Sequence, residues 1–128
     1  MVSHVTNGVR VSVESHYQSN LSNPLEGEFV FAYRIRIENG SSETIQVMSR
    51  HWDILDSNGR IMIVEGDGVL GLQPEIPPGE VHEYGSWCRL RTEIGKMSGY
   101  YLIRNIHHTD RYRISVPEFR LIAPLKLN

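Results

Sequence analysis

The chain has 128 residues, of which 40% are hydrophobic and 22% charged, with a formal net charge of −2. This length supports one domain with a single good core, and the composition excludes a disordered chain. The near-balanced charge gives no global attraction to polyanions, so neither a nucleic acid nor a membrane is an expected partner.

In chain order, Val9, Val11 and Val13 alternate with Arg10, Ser12 and Glu14, the period of a half-buried strand. Residues 19–28, with Asn20, Asn23, Pro24 and Gly27, read as a loop. Phe29, Phe31, Tyr33, Ile35 and Ile37 then share one face of a strand, opposite Val30, Ala32, Arg34, Arg36 and Glu38. After a turn at 38–43, a second long strand runs from Thr44 to about Asp56. It sets Met48, Trp52 and Ile54 on one face and His51 and Asp53 on the other. Asp56-Ser57-Asn58-Gly59 is a hairpin signal, and residues 60–65 return.

Residues 81–91 form the next predicted strand, with Tyr84, Cys88 and Leu90 on one side and Glu83, Gly85, Trp87 and Arg89 on the other. Residues 99–104 form another. A turn at His107-His108-Thr109-Asp110 precedes a last strand of Tyr112, Ile114, Val116, Phe119, Leu121 and Ala123, interrupted by Pro117. No window sustains a helical period, and the nearest, residues 90–97, is broken by Gly95. About seven to eight short antiparallel strands, with turns at intervals of about 8–12 residues, indicate an all-β sandwich. Trp52 is then a core tryptophan, and one domain spans residues 1–128. Cys88 is the sole cysteine, which excludes an intrachain disulfide and a CxxC site. Residues 1–10 lack the basic-then-apolar signature of a signal peptide, and no apolar run approaches the roughly 18 residues of a membrane span, so a cytoplasmic location is expected.

Gly66-Asp67-Gly68-Val69-Leu70-Gly71 spells G-x-G-x-x-G. In dinucleotide folds the third glycine lies within a helix whose N-terminus binds phosphate. Here Pro74, Pro77, Pro78 and Gly79 follow, and a helix cannot pass through them. The segment reads as a turn between strands, its glycines supplying positive φ or close approach, with Leu70 and Leu72 suited to packing. The alternative is a nest of backbone amides at Gly66, Asp67, Gly68 and Gly71 holding a phosphate-containing small molecule. Glu65 and Asp67 oppose that, and the loop contains no lysine or arginine.

No metal or cofactor site is expected. His51 with Asp53, and His107 and His108 with Asp110, are incomplete ligand sets, and no carboxylate cluster suits magnesium. Ser86, Cys88 and the histidines show no spacing that implies a nucleophilic site, so the chain reads as a non-enzyme. The candidate interaction surface is Arg34, Arg36, Trp87 and Arg89. Arg34 and Arg36 either extend a basic stripe to Arg10 or Arg50 across a neighbouring strand, or pair with Glu14 and Glu38 as a solvated face. Trp87 beside Arg89 is a composition enriched at protein interfaces, provided no bulge between Gly85 and Ser86 turns it inward.

One ordered series runs through the chain: Arg50-His51-Trp52, the glycine loop followed by Gln73-Pro74, and Pro78-Gly79-Glu80. Tyr84–Ser86, Gly95-Lys96-Met97-Ser98-Gly99-Tyr100 and Val116-Pro117-Glu118-Phe119-Arg120-Leu121 complete it. From Val9 to Leu121 the series resembles the ApaG family. The resemblance implies an immunoglobulin/fibronectin-III-like antiparallel β-sandwich, in agreement with the strand pattern, a small cytosolic protein associated with magnesium and cobalt homeostasis, and no established catalytic residues. It also implies a protein-interaction role, as for the similar modules of an F-box protein and a DNA polymerase delta-interacting protein. The protein partner is unknown, and a homodimer through an unpaired edge strand stays open.

Overall fold

The computed structural model describes residues 1–124. Nine strands follow one another: β1 (Val2–Thr6), β2 (Val9–Tyr17), β3 (Phe29–Asn39), β4 (Ile45–Asp56), β5 (Ile61–Asp67), β6 (Glu75–Ile76), β7 (Val81–Leu90), β8 (Ile94–Asn105) and β9 (Arg111–Ile122). They form two antiparallel sheets, in the order β1-β2-β3-β7 and β5-β4-β8-β9, with β6 pairing to β4. This is the expected all-β sandwich. Residues 90–97 hold no helix: they are the end of β7, a bend and the start of β8. Among the described residues, helical turns are confined to two short 3-10 segments, Ser19–Leu21 and Pro24–Glu26, inside the predicted loop. Among the described residues no helix is long and apolar enough to cross a membrane.

The alternating residues of β2 and β3 point inward as their period requires, and Val9, Val11, Ile35 and Ile37 are fully buried. Trp52 fills the centre, edge-on to Tyr33, Tyr101 and Phe119 at centroid distances of 5.7, 6.1 and 6.0 Å. Such aromatic pairs add about 0.5–1.5 kcal/mol each beyond the area they bury. Cys88 packs into the same interior, where burial and the charge of Asp56 push its thiol pKa up to about 12. It stays a protonated core side chain at neutral pH.

Two strands lay outside the sequence expectation. β1 presents mostly exposed residues and has no apolar face to read, although the left-handed Asn7-Gly8 pair that turns it into β2 is a hairpin signal. β6 is two residues long, too short for any period. Two bulges also break the alternation. One shifts the β4–β8 register between Val47 and Ser49, and the other shifts β8–β9 between Met97 and Gly99, where Pro117 lies. The first corrects the placement of Met48. Ile45 and Val47 face inward, then the extra residue restarts the inward set at Arg50, Trp52 and Ile54, and Met48 is left half-exposed.

The two long sides of the sandwich differ. On one, β1 and β2 lie against β9: Ser15 Oγ donates to the Arg120 carbonyl at 3.1 Å, and the Ser115 amide donates to Thr6 Oγ1 at 3.3 Å. On the other, β5 and β7 are the outermost strands of their sheets, and among the described residues no hydrogen bond joins them. That side is open.

Gly99 sits opposite Trp52, where a Cβ would collide with the carbonyl oxygen of His51. Gly99→Ala must push β8 away from β4, and overpacking of this kind costs about 2 kcal/mol. Urea unfolding of the two proteins measures it; equal midpoints would show that the strands can move apart freely.

Candidate functional site

Arg50 occupies an inward position at the open edge because of the bulge before it. An arginine between two sheets needs acceptors, and the glycine loop supplies them. Arg50 Nη1 donates to the carbonyls of Asp67 and Gly68, both at 3.1 Å. Gly66 makes the approach feasible, since a Cβ on it would lie 2.9 Å from both Nη1 and Nη2. The bulge frees the Met48 carbonyl, which accepts from the Gly68 amide at 2.8 Å and from Gln73 Nε2 at 3.0 Å.

The rest of the loop is a two-residue hairpin. Val69 and Leu72 exchange amide-to-carbonyl hydrogen bonds of 2.8 and 2.9 Å across Leu70 and Gly71, whose φ values are 49° and 76°. Two left-handed residues define a type I′ turn, which favours Asn-Gly or Gly-Gly. Leu70 is therefore strained and is also 61% exposed. The expectation that Leu70 and Leu72 pack is corrected here: both are exposed, and Val69 is the buried residue. At Gly68, with φ 56°, a Cβ would collide with the Leu72 carbonyl.

Arg50, Tyr33, Tyr84, Ser86, Val64 and Leu70 line a cavity of about 170 Å³ between the sheets, with Trp52, Ile54, Met97 and Trp87 completing its wall. Burial raises the pKa of Tyr33, Tyr84 and Tyr101, and the positive charge of Arg50 opposes the rise in all three. The Tyr84 and Tyr101 hydroxyls are hydrogen-bonded to each other. The phenols therefore remain protonated donors at physiological pH, and the guanidinium is the one fixed charge facing this cavity from the lining residues.

A family model for the ApaG domain matches residues 19–105. The chain belongs to the ApaG family. It is similar to Protein ApaG of Brucella abortus, 42% identical over 97% of this chain and 95% of that one. The crystal structure of a Bordetella pertussis protein described as ApaA superposes with a TM-score of 0.87 at 41% identity, covering 92% of this chain and 95% of the other. The C-terminal domain of wzt, with a TM-score of 0.56 and 9% identity over 98% of this chain and 79% of that domain, shares the fold alone.

In this ApaG domain the remaining residues singled out from sequence fall into separate places. Arg34 and Arg36 lie on the outer face of β3. Arg36 meets Glu83 at 3.1 Å and Glu38 at 3.2 Å, Arg34 meets Glu83 at 3.8 Å, and Arg10 meets Glu38 at 3.9 Å. Arg50 cannot join that stripe, because it lies inside the opposite sheet; Glu14 pairs with His16 rather than with an arginine. The register of β7 is unbroken from Val81 to Leu90, so Trp87 keeps its outward position and is 59% exposed beside Arg89. The glycine loop does receive an arginine, from β4 rather than from its own sequence. Its amides at 69 and 72 are bonded to each other's carbonyls within the loop, the amide at 68 donates to the Met48 carbonyl of β4, and the carbonyls of 67 and 68 are turned onto a cation. His51 contacts Glu65 through Nδ1 at 3.1 Å and Asp53 through Nε2 at 3.2 Å, while its ring stacks on Tyr100 at 4.7 Å. The two carboxylates sit at opposite edges of the imidazole, and among the described residues no three such side chains converge to hold a metal.

Replacing the strained Leu70 with asparagine gives the turn its preferred Asn-Gly pair and removes no buried contact. Leu70→Asn is expected to stabilise the fold by about 1 kcal/mol, the scale of the left-handed penalty. Denaturant titration measures it, and a loss of stability would show that Leu70 packs.

Proposed function

We propose that this ApaG-family chain is a non-enzymatic module that binds a cytosolic protein partner along its open β5/β7 side. The observation that carries this reading is the grouping there of Trp87, Leu70 and Val64, all exposed, around a half-buried arginine. Aromatic and arginine anchors ringed by apolar surface are the composition of binding hot spots. A strained, exposed leucine kept against the preference of its turn points the same way, since such strain concentrates at functional positions. The outer face of β3 fits the role less well, because its arginines already have carboxylate partners.

Phosphate binding by the amides of residues 66–71 is the weaker alternative, because the loop turns carbonyls toward its one cation. On the favoured reading, the family's association with magnesium and cobalt passes through a partner. A second copy docked edge to edge would use the same groups, and sedimentation distinguishes it from another protein.

The test is affinity capture from native cytosol, quantified by mass spectrometry. Trp87→Ala and Leu70→Asn should each remove the same captured protein, while Arg34→Ala on the outer face should leave it unchanged. Recovery of one identical set by all variants would sink the reading.

A further inference from the structure

We propose that the Arg50 cavity is a carboxylate site, which takes one Asp or Glu side chain from an extended partner segment lying along the open β5/β7 side. The proposal rests on the docking role given to that side. It begins with valence. Arg50 Nη1 is committed to two backbone carbonyls, whereas Nη2 and Nε have no acceptor among the described residues. Those two nitrogens form one edge of the guanidinium fork, and a side-on carboxylate matches it with two parallel hydrogen bonds. Arg10, Arg34 and Arg36 all have a carboxylate within 4.0 Å, and among the described residues Arg50 has none.

The cavity selects the anion. A cavity of about 170 Å³ accommodates a carboxylate with its short stem. Its walls are mainly aromatic and aliphatic, with the Ser86 and Tyr33 hydroxyls as further polar groups. One guanidinium balances one negative charge. A phosphate dianion would be left with excess charge against an apolar wall, which disfavours it.

The neighbourhood selects the form of the partner. β5 and β7 each leave an edge without a neighbouring strand, so an extended segment can add main-chain hydrogen bonds there. A second depression of about 380 Å³ shares Ile54, Val64 and Trp87 with the first and continues toward Arg60, Arg89 and Arg91. These three arginines have no carboxylate within ion-pair distance among the described residues, although Glu28 and Asp56 also line that depression. The resulting field attracts an acidic segment and aligns it along the side.

The test is an NMR titration of the full chain with acetyl-Val-Glu-Val-methylamide, with its Gln isostere, and with inorganic phosphate. The acidic peptide should give saturable shifts at the Trp87 indole N–H and the Arg50 Nε–H, and the Gln peptide should bind about tenfold more weakly. Ser86→Ala, which leaves the Arg50–loop bonds in place, should weaken the acidic peptide several-fold. Equal binding of both peptides, no saturable binding of either, or saturation by phosphate alone would each overturn the carboxylate assignment. Capture that depends on Trp87 and Leu70 would in that case leave the docking reading standing.

Discussion

An arginine on the inner face of a β-sandwich must find acceptors, and Arg50 finds them in the carbonyls of Asp67 and Gly68. Hydrogen bonds to a charged group contribute about 1.5–3 kcal/mol and leave a heavy penalty if one partner is removed. The surrounding features follow from this contact. The bulge between Val47 and Ser49 brings Arg50 inward and frees the Met48 carbonyl for Gly68 and Gln73. Gly66 lacks the Cβ that would meet the guanidinium, and Gly68 takes a φ that returns the chain at once. The short return forces Leu70 and Gly71 into left-handed conformations and holds the Leu70 side chain at the mouth of the cavity. The G-x-G-x-x-G pattern thus serves to wrap backbone around a cation.

The two sides of the sandwich divide stability from binding. β1 and β2 close one side against β9, which shields the β9 edge. The opposite side keeps two unpaired strands with an apolar cleft between them, the arrangement most exposed to further strand pairing. On the outer faces of the two sheets several cationic side chains are matched. The outer arginines of β2 and β3 meet Glu38 and Glu83, and on the other sheet Arg113 lies 4.2 Å over the Tyr100 ring that His51 stacks on.

Much of this was legible in the sequence, for physical reasons that also mark where legibility ended. Alternation located β2, β3, β7 and β9 and placed Cys88 inside and Trp87 outside, because unbroken strands preserve parity. The prolines after Gly71 correctly excluded a phosphate-binding helix. Met48 was misassigned because one bulge reverses parity, and nothing in residues 44–56 announces it; Arg50 was offered to the outer stripe although its parity with Trp52 places it inward. The loop seemed to lack a basic residue because its arginine comes from a strand 17 residues away from Asp67. Leu70 and Leu72 read as core residues on hydrophobicity alone, but a hairpin turn cannot bury them. The cavity itself depends on which edges stay apart, a property of topology that no local pattern carries.

The dependence of the loop on Arg50 is tested most directly by amide hydrogen exchange at Gly68, Val69 and Leu72, compared between the native protein and Arg50→Met. Methionine keeps the length and apolar stem but leaves the two carbonyls without their donor. Exchange at these three amides should accelerate about tenfold or more while β2 and β3 keep their protection, as expected for local opening below the global stability. Unchanged protection across residues 68–72 would contradict the account, since the loop would then hold its shape without the arginine.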